Sequence, residues 1–136
     1  MTEEIQITKK YLSIEEIRFG ERLNVTFDLE PKALNWQVPS LILQPVVENC
    51  FKHGITNNTS FSIAINAHVS AGLMKIEVID NGTGLTQGLS LENQDGIGLK
   101  NVRQRLKSIY GDCASFKLSN HEPYGVQAIL TIPERS

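Results

Sequence analysis

A β-hairpin in the middle of the chain is the strongest constraint on the fold. Apolar side chains recur at every second position over residues 61–69 and again over residues 74–78. A period of two is typical of a strand with one buried face, and residues 70–72 (Ser-Ala-Gly) between the two runs provide a turn. Strands joined by a short turn are antiparallel, so a doubly wound parallel sheet is not expected.

Further helices and strands surround this hairpin. The sequence predicts, in chain order, a helix over residues 4–17, a strand over 24–29, a helix over 40–53, a helix over 97–110 and strands near 115–119 and 125–132. Strands that are interleaved with helices and joined by short turns predict an α+β fold. We expect a two-layer α/β sandwich, in which a mixed, mostly antiparallel sheet carries about three helices on one face.

The first two predicted helices each have an apolar face. The helix over residues 4–17 is expected to bury the apolar residues that recur at helical spacing, namely Ile7, Tyr11, Ile14 and Ile17. The helix over residues 40–53 is expected to be largely buried, with Ser40 as its N-cap. Pro45 removes one backbone hydrogen bond from this second helix, which kinks the helix or moves its start.

Composition argues against several classes of protein. The 136 residues are one domain's length, and the net charge of −2 argues against a nucleic-acid binder. Cys50 and Cys113 lack the spacing of metal ligands and fit a reducing cytoplasm. No run of about 18 apolar residues is present in the sequence, so no membrane span is predicted.

The first of three candidate motifs ends the second helix, over residues 48–54 (ENCFKHG). An asparagine in an apolar helix costs stability unless its amide finds partners, and the side-chain oxygen of Asn49 suits Mg²⁺, a hard cation. Lys52 and His53 follow Asn49 by three and four residues, so they lie near the same helix face. Taken alone, a capping or core-bonded Asn49 explains this motif equally well.

The second motif, residues 80–84 (DNGTG), follows the second strand of the hairpin. Its glycines allow the backbone to turn tightly and to approach a ligand. The carboxylate of Asp80 can accept a hydrogen bond from an exocyclic amine such as that of adenine. Taken alone, however, this motif is better explained as an ordinary turn.

The third motif, residues 96–99 (GIGL), opens the helix over residues 97–110. Free N–H groups at the start of a helix bind anions, and glycines let a phosphate approach them. The motif is not a P-loop, because no Lys-Ser/Thr pair follows it, and it lacks the third glycine of the Rossmann fingerprint.

The three motifs together, with an eleven-residue polar loop over residues 85–95 before the third, resemble the Bergerat-type ATP-binding family, which includes histidine kinases, DNA gyrase and MutL. Asn49 lies in what looks like the N box, residues 80–84 resemble the G1 box, and residues 96–99 resemble the G2 box. Three longer stretches look like the LytS/YehU type of sensor histidine kinase, namely residues 11–19, 38–49 and 98–106. The resemblance covers nearly the whole chain.

The resemblance implies a Bergerat ATP-binding fold with ATP between the sheet and the loop over residues 85–95, which would act as a lid. Asp80 would bind the adenine amine, and Gly84 would leave room for the ring. Gly82 and Leu85 belong to the same implied nucleotide site. Thr131, on the last strand, would make a water-mediated contact near adenine.

At the phosphate end, the resemblance implies that Asn49 holds Mg²⁺ and that Lys52 or His53 offsets phosphate charge. The amides of Gly96, Ile97, Gly98 and Leu99 would bind the phosphates. In MutL, a general-base glutamate lies four residues before the metal-binding asparagine, and here that position is Pro45. Glu48, about 100° around the helix from Asn49, could instead orient a group in the site.

The implied reaction is transfer of the γ-phosphoryl group to a histidine on an upstream dimerisation segment, from which a response regulator takes it. Residues 1–20 would be the end of that segment and residues 21–136 the ATP-binding domain. His53, His68 and His121 do not suit the acceptor role. We expect a cytoplasmic domain of a homodimeric parent anchored in the inner membrane. Alone, the chain would be a monomer that binds ATP without phosphorylating a protein.

Two alternatives stay open at the level of sequence. One is a stand-alone ATPase of the gyrase or MutL type, against which the proline at position 45 argues. The other is a binding module that uses nucleotide only to gate a protein contact, since Asn49, Asp80 and the glycine motifs would also serve binding alone.

Overall fold

The computed structural model describes residues 1–53, 60–81, 97–120 and 125–134, and for residues 52, 53, 97 and 120 it describes the backbone only. The helices within these ranges are α1 (Thr2–Phe19), α2 (Pro31–Leu34), α3 (Gln44–His53) and α4 (Ile97–Tyr110). The strands are β1 (Leu23–Leu29), β2 (Phe61–Ser70), β3 (Leu73–Asp80), β4 (Ser115–Asn120) and β5 (Val126–Pro133). None of the helices described is long and apolar enough to cross a membrane.

The strands form one mixed sheet in the order β1-β2-β3-β5-β4. β1 pairs with β2 in parallel, and the other neighbouring pairs are antiparallel. The predicted hairpin is confirmed: β2 and β3 are joined by Ala71 and Gly72, both with positive φ, the conformation of the tight turns that match strand twist. The predicted α+β fold, with its mixed and mostly antiparallel sheet, is therefore confirmed.

One face of the sheet carries the hydrophobic core. Alternate residues of β2, β3 and β5 are buried on this face, including Ile65, Ile76 and Leu130, while the residues between them are half-buried or exposed. Buried apolar side chains of α1, α3 and α4, among them Leu12 and Val102, join the same core. We call this face of the sheet the helix face and the opposite one the open face.

The start of the second predicted helix differs from the prediction. Helix α3 begins at Gln44, so Ser40 is not its N-cap and Pro45 lies in its first turn. A proline costs least in the first turn, where its missing N–H would have no intrahelical partner. Of the two effects expected of Pro45, the moved start is the one that occurs.

The predicted apolar face of the first helix is buried only in part: Tyr11 packs against the core, but the isoleucines of that face are exposed. Ile14 and Ile17 are exposed, Ile17 to 86%, whereas Leu12 is only 2% exposed. The buried face of α1 instead includes Thr8 and the charged residue Glu4. Periodicity identified a helix, but the position of its partner α3 decided which side of α1 is covered.

Substitutions on the two sides of α1 should differ in how much they lower stability. Leu12→Ala should lower the free energy of unfolding by about 2–5 kcal/mol, because it removes buried methyl groups and leaves a cavity. Ile17→Ala should change it by less than about 0.5 kcal/mol, because its side chain is in solvent. Urea unfolding of both variants tests this, and a larger loss for Ile17→Ala would contradict the packing of α1.

Candidate functional site

Helix α3 places Asn49 and Cys50 on its buried side. Asn49 is 7% exposed, and Cys50 is buried beside it. Val46 and Val47, one turn earlier, are buried in the core, so the apolar stripe of α3 turns this part of the helix inward. The backbones of Lys52 and His53 end α3, and their side chains lie outside the described residues.

Strand β3 ends at Asp80, whose side chain lies on the helix face of the sheet. Asp80 is 3% exposed and continues the buried alternation of Ile76 and Val78. Its Oδ1 accepts a hydrogen bond of 3.2 Å from the backbone N–H of Val126, at the start of β5. A buried carboxylate requires such donors, because burial removes its hydration.

Cys50 brings α3 into contact with the end of β3. Burial, followed by the charge of Asp80 and a side-chain hydrogen bond with it, raises the pKa of the Cys50 thiol well above its ordinary value. The thiol therefore stays protonated at neutral pH, and its hydrogen has two acceptors, the carbonyl oxygen of Val46 at 3.7 Å on the same helix and the carboxylate of Asp80. Because Cys50 is the residue after Asn49, the first two motifs meet at this contact.

Gly125 permits the close approach of β5 to Asp80, and the sequence analysis missed it. Its φ is +112°, and a Cβ at this position would lie 2.0 Å from the carbonyl oxygen of Asp80. Only glycine fits, because any side chain would overlap the backbone of β3. A glycine at the first position of a predicted strand was the available signal, but nothing in the sequence showed which backbone it approaches.

The third motif lies against the start of α3. Gly98, in the first turn of α4, faces α3 so closely that a Cβ there would lie 3.3 Å from Cβ of Pro45. The side chain of Leu99 is buried in the core. Gly98 therefore has a packing role between two helices, in addition to the predicted role of letting a phosphate approach the start of α4.

Two polar residues of the motifs have local structural partners. Glu48 is half-buried, and its Oε1 accepts a hydrogen bond of 2.8 Å from the amide of Gln44, one turn earlier on α3. Oδ1 of Asn81 accepts a hydrogen bond of 2.7 Å from the backbone N–H of Ser62. Asn81 thus extends the pairing of β2 and β3 beyond the last strand residue.

Thr131 is not brought together with Asp80. It pairs with Lys75 of β3 and Ser115 of β4, and it alternates with the buried residues Leu130 and Ile132. Its side chain is therefore on the open face, opposite that of Asp80, and about 17 Å away along the strand at 3.3 Å per residue. The expected adenine contact of Thr131 is inconsistent with this position.

Several predicted site residues lie outside the described residues. These are Gly82, Gly84, Leu85 and Gly96, together with the lid over residues 85–95. The backbone of Ile97 begins α4, and its side chain is not described. A pocket of about 170 Å³ is lined by Asp80 together with Thr26, Ser62 and Ala64, three residues that alternate with the more buried residues of β1 and β2.

Comparison with known proteins gives consistent matches. No protein-family model matches the chain. It is 34% identical over 137 residues to the sensor histidine kinase YesM of Bacillus subtilis, covering 98% of this chain and 24% of that protein. It is 33% identical over 144 residues to the sensor protein LytS of Staphylococcus saprophyticus, with the same coverages of 98% and 24%. The chain thus spans about a quarter of the length of these relatives.

Solved structures agree with the sequence matches at the level of fold. The catalytic domain of histidine kinase ThkA, in a nucleotide-free form, matches with a TM-score of 0.78 and 17% identity, over 97% of this chain and 90% of that chain. A structure of ThkA in complex with the response regulator protein TrrA matches with a TM-score of 0.73 and 16% identity, over 99% of this chain and 40% of that chain.

The contact between Gly125 and Asp80 yields a testable difference between two glycines with positive φ. Gly72→Ala should cost about 1 kcal/mol of unfolding free energy from backbone strain alone, since a Cβ there meets nothing within 4 Å. Gly125→Ala should cost about 3 kcal/mol or more, because strain is joined by overlap with Asp80. Urea unfolding measures both, and equal losses would show that β5 does not approach Asp80 so closely.

Proposed function

The chain is a homologue of LytS- and YesM-type sensor histidine kinases along nearly its whole length and has the fold of a histidine kinase catalytic domain, and from this premise we propose that it binds Mg·ATP and donates the γ-phosphoryl group to a histidine on an upstream segment. The observation that carries the proposal is that a buried amide, on α3, and a buried carboxylate, at the end of β3, lie on elements that contact each other. Asn49 and Asp80 belong to different motifs, and Cys50 links their elements.

Asp80 is suited to bind the adenine amine. An ionised carboxylate has about four acceptor positions, so it can accept from Val126, Cys50 and an exocyclic amine at once. The contacts with Val126 and Cys50 fix the orientation of the carboxylate before a nucleotide arrives. Gly82, Gly84 and Leu85 would complete this side of the proposed site.

The amide oxygen of Asn49 is suited to hold Mg²⁺ against the phosphates. Among the described residues, no group of three His, Cys, Asp or Glu side chains could hold a metal ion. Mg²⁺ is commonly bound through one or two protein groups together with substrate phosphates, so a single amide oxygen suits it. Mg²⁺ held there by Asn49 would offset the negative charge of the phosphates.

The N-terminus of α4 is suited to the phosphate end of the nucleotide. Backbone N–H groups at Gly96, Ile97, Gly98 and Leu99 would point toward an anion, and the helix dipole favours negative charge there. Lys52 or His53, at the end of α3, would add positive charge. Glu48, whose orientation Gln44 fixes, would orient a group in the site.

The proposed partners are a phosphoacceptor histidine and a response regulator. His68, the one histidine whose side chain is described, lies between Asp28 and Glu30 at 3.5 and 3.6 Å, on β2 and away from the proposed site. The acceptor would therefore belong to the dimerisation segment of a homodimeric, membrane-anchored parent, of which residues 1–20 would be the end. The domain would be cytoplasmic and, alone, monomeric.

Nucleotide binding is expected to depend on Asp80 and Asn49 in different ways. Asp80→Ala should weaken binding by at least about tenfold, because it removes the acceptor for adenine. Asn49→Ala should make the affinity for ATP insensitive to Mg²⁺. Calorimetric titration of Mg·ATP measures both, with Asp28→Ala on the open face as the control. Failure of a folded wild-type chain to bind would contradict the assignment of the motifs.

Phosphoryl transfer is expected to require the acceptor segment. Incubated with ATP labelled at the γ-phosphate, the chain alone should gain no acid-labile phosphate, because its own histidines are unsuited to accept it. The upstream segment, added as a separate polypeptide, should become labelled, and the same segment with its histidine replaced should not. Rapid ATP hydrolysis by the chain alone would instead favour a stand-alone ATPase.

A further inference from the structure

The carboxylate of Glu4, on α1, is buried at the start of α3. Glu4 is 5% exposed, and nothing in the proposed reaction requires it. Its two oxygens accept three backbone hydrogen bonds, from Leu41 at 3.1 Å, from Ile42 at 2.8 Å and from Leu43 at 3.2 Å. A residue distant in sequence therefore satisfies the N–H groups before the first turn of α3.

The backbone of residues 40–43 is shaped to receive this carboxylate. Leu41 has a positive φ of 57°, a conformation that costs energy for any residue with a side chain. Such a residue turns successive N–H groups toward one point, which forms an anion-binding concavity called a nest. The nest of residues 41–43 binds Glu4, whose negative charge is also favoured at the N-terminal end of α3.

Helix α1 contacts α3 at its other end as well. The ring of Phe51, near the end of α3, lies 5.8 Å from the ring of Tyr11 and 5.7 Å from that of Phe19. Asn49 lies between the nest and Phe51 along α3. The contacts of α1 with the nest and with Phe51 therefore lie on either side of Asn49 along α3. A change in the position of α1 would move the side chain of Asn49.

The nest is also connected to α4. A guanidinium N–H of Arg105 donates to the carbonyl oxygen of Ser40, directly before the nest. Pro45, two residues after the nest and in the first turn of α3, packs against Gly98. The start of α3 is thus fixed between α1 and α4, and α4 carries the proposed phosphate-binding turn.

We propose that Glu4 is a positioning residue for Asn49: its carboxylate in the nest fixes the start of α3, and through α3 it fixes the metal-binding amide relative to Asp80. This inference rests on the proposed function for the role of Asn49. The position of α1 then sets the affinity for Mg·ATP without any contact between α1 and the nucleotide. An upstream segment that displaces α1 can act on the site by this route.

The test compares Glu4→Gln with Glu3→Gln, its exposed neighbour in the first turn of α1. A glutamine at position 4 keeps the size of the side chain but presents one acceptor oxygen and an NH₂ group to the nest. Calorimetry should show Mg·ATP binding weakened roughly tenfold in Glu4→Gln, with adenosine binding in the absence of metal changed less than about twofold. Glu3→Gln should match the wild type in both titrations.

A second measurement separates this inference from the proposed function. Amide hydrogen exchange should be faster in Glu4→Gln from the nest through Asn49, and unchanged in β2 and β3. Equal losses of Mg·ATP and adenosine binding, or unchanged Mg·ATP binding, would overturn the inference. If the wild type binds no nucleotide, the proposed function fails, and hydrogen exchange alone tests whether Glu4 positions Asn49. In that case, faster exchange confined to residues 41–43 would overturn the positioning role.

Discussion

A carboxylate that folding removes from water must be surrounded by donors, and the site of this protein is arranged around that requirement at Asp80. Its donors come from different parts of the chain: the backbone of Val126 on β5 and the thiol of Cys50 on α3. The approach of β5 is possible because Gly125 has no Cβ. The contacts of Asp80 therefore fix β5 and α3 relative to the end of β3. Because Asn49 lies on α3, these contacts also fix its position.

A second buried carboxylate organises the helices. Glu4 binds the nest of residues 41–43, and the positive φ of Leu41 accompanies that contact. Strain of this kind persists where surrounding interactions offset it. The two carboxylates contact α3 at different places, one before its first turn and one beside Cys50, so polar contacts act together with apolar burial in fixing this helix.

The relationship to sensor histidine kinases gives these contacts a functional setting. The chain spans about a quarter of YesM and of LytS, and under the proposed function an upstream segment would act on this domain through its surface. Helix α1 offers such a route, since it is packed on α3 while its opposite side, with Ile14 and Ile17, is exposed. One face of α1 packs on α3, and the other face is free to contact another segment. Helix α1 can therefore be part of the domain and also be displaced by that segment.

The sequence by itself determined the hairpin, the α+β class and the three motifs, because alternation and glycine positions are local properties of the chain. It placed the strands within one or two residues and identified Asn49 and Asp80. It could not show that Gly125 passes Asp80, or that Thr131 lies on the open face. It also could not orient α1: Ile7, Ile14 and Ile17 formed the more apolar stripe, yet Glu4 and Leu12 are buried. Those outcomes depend on contacts between residues far apart in sequence, and only the tertiary structure brings such residues together.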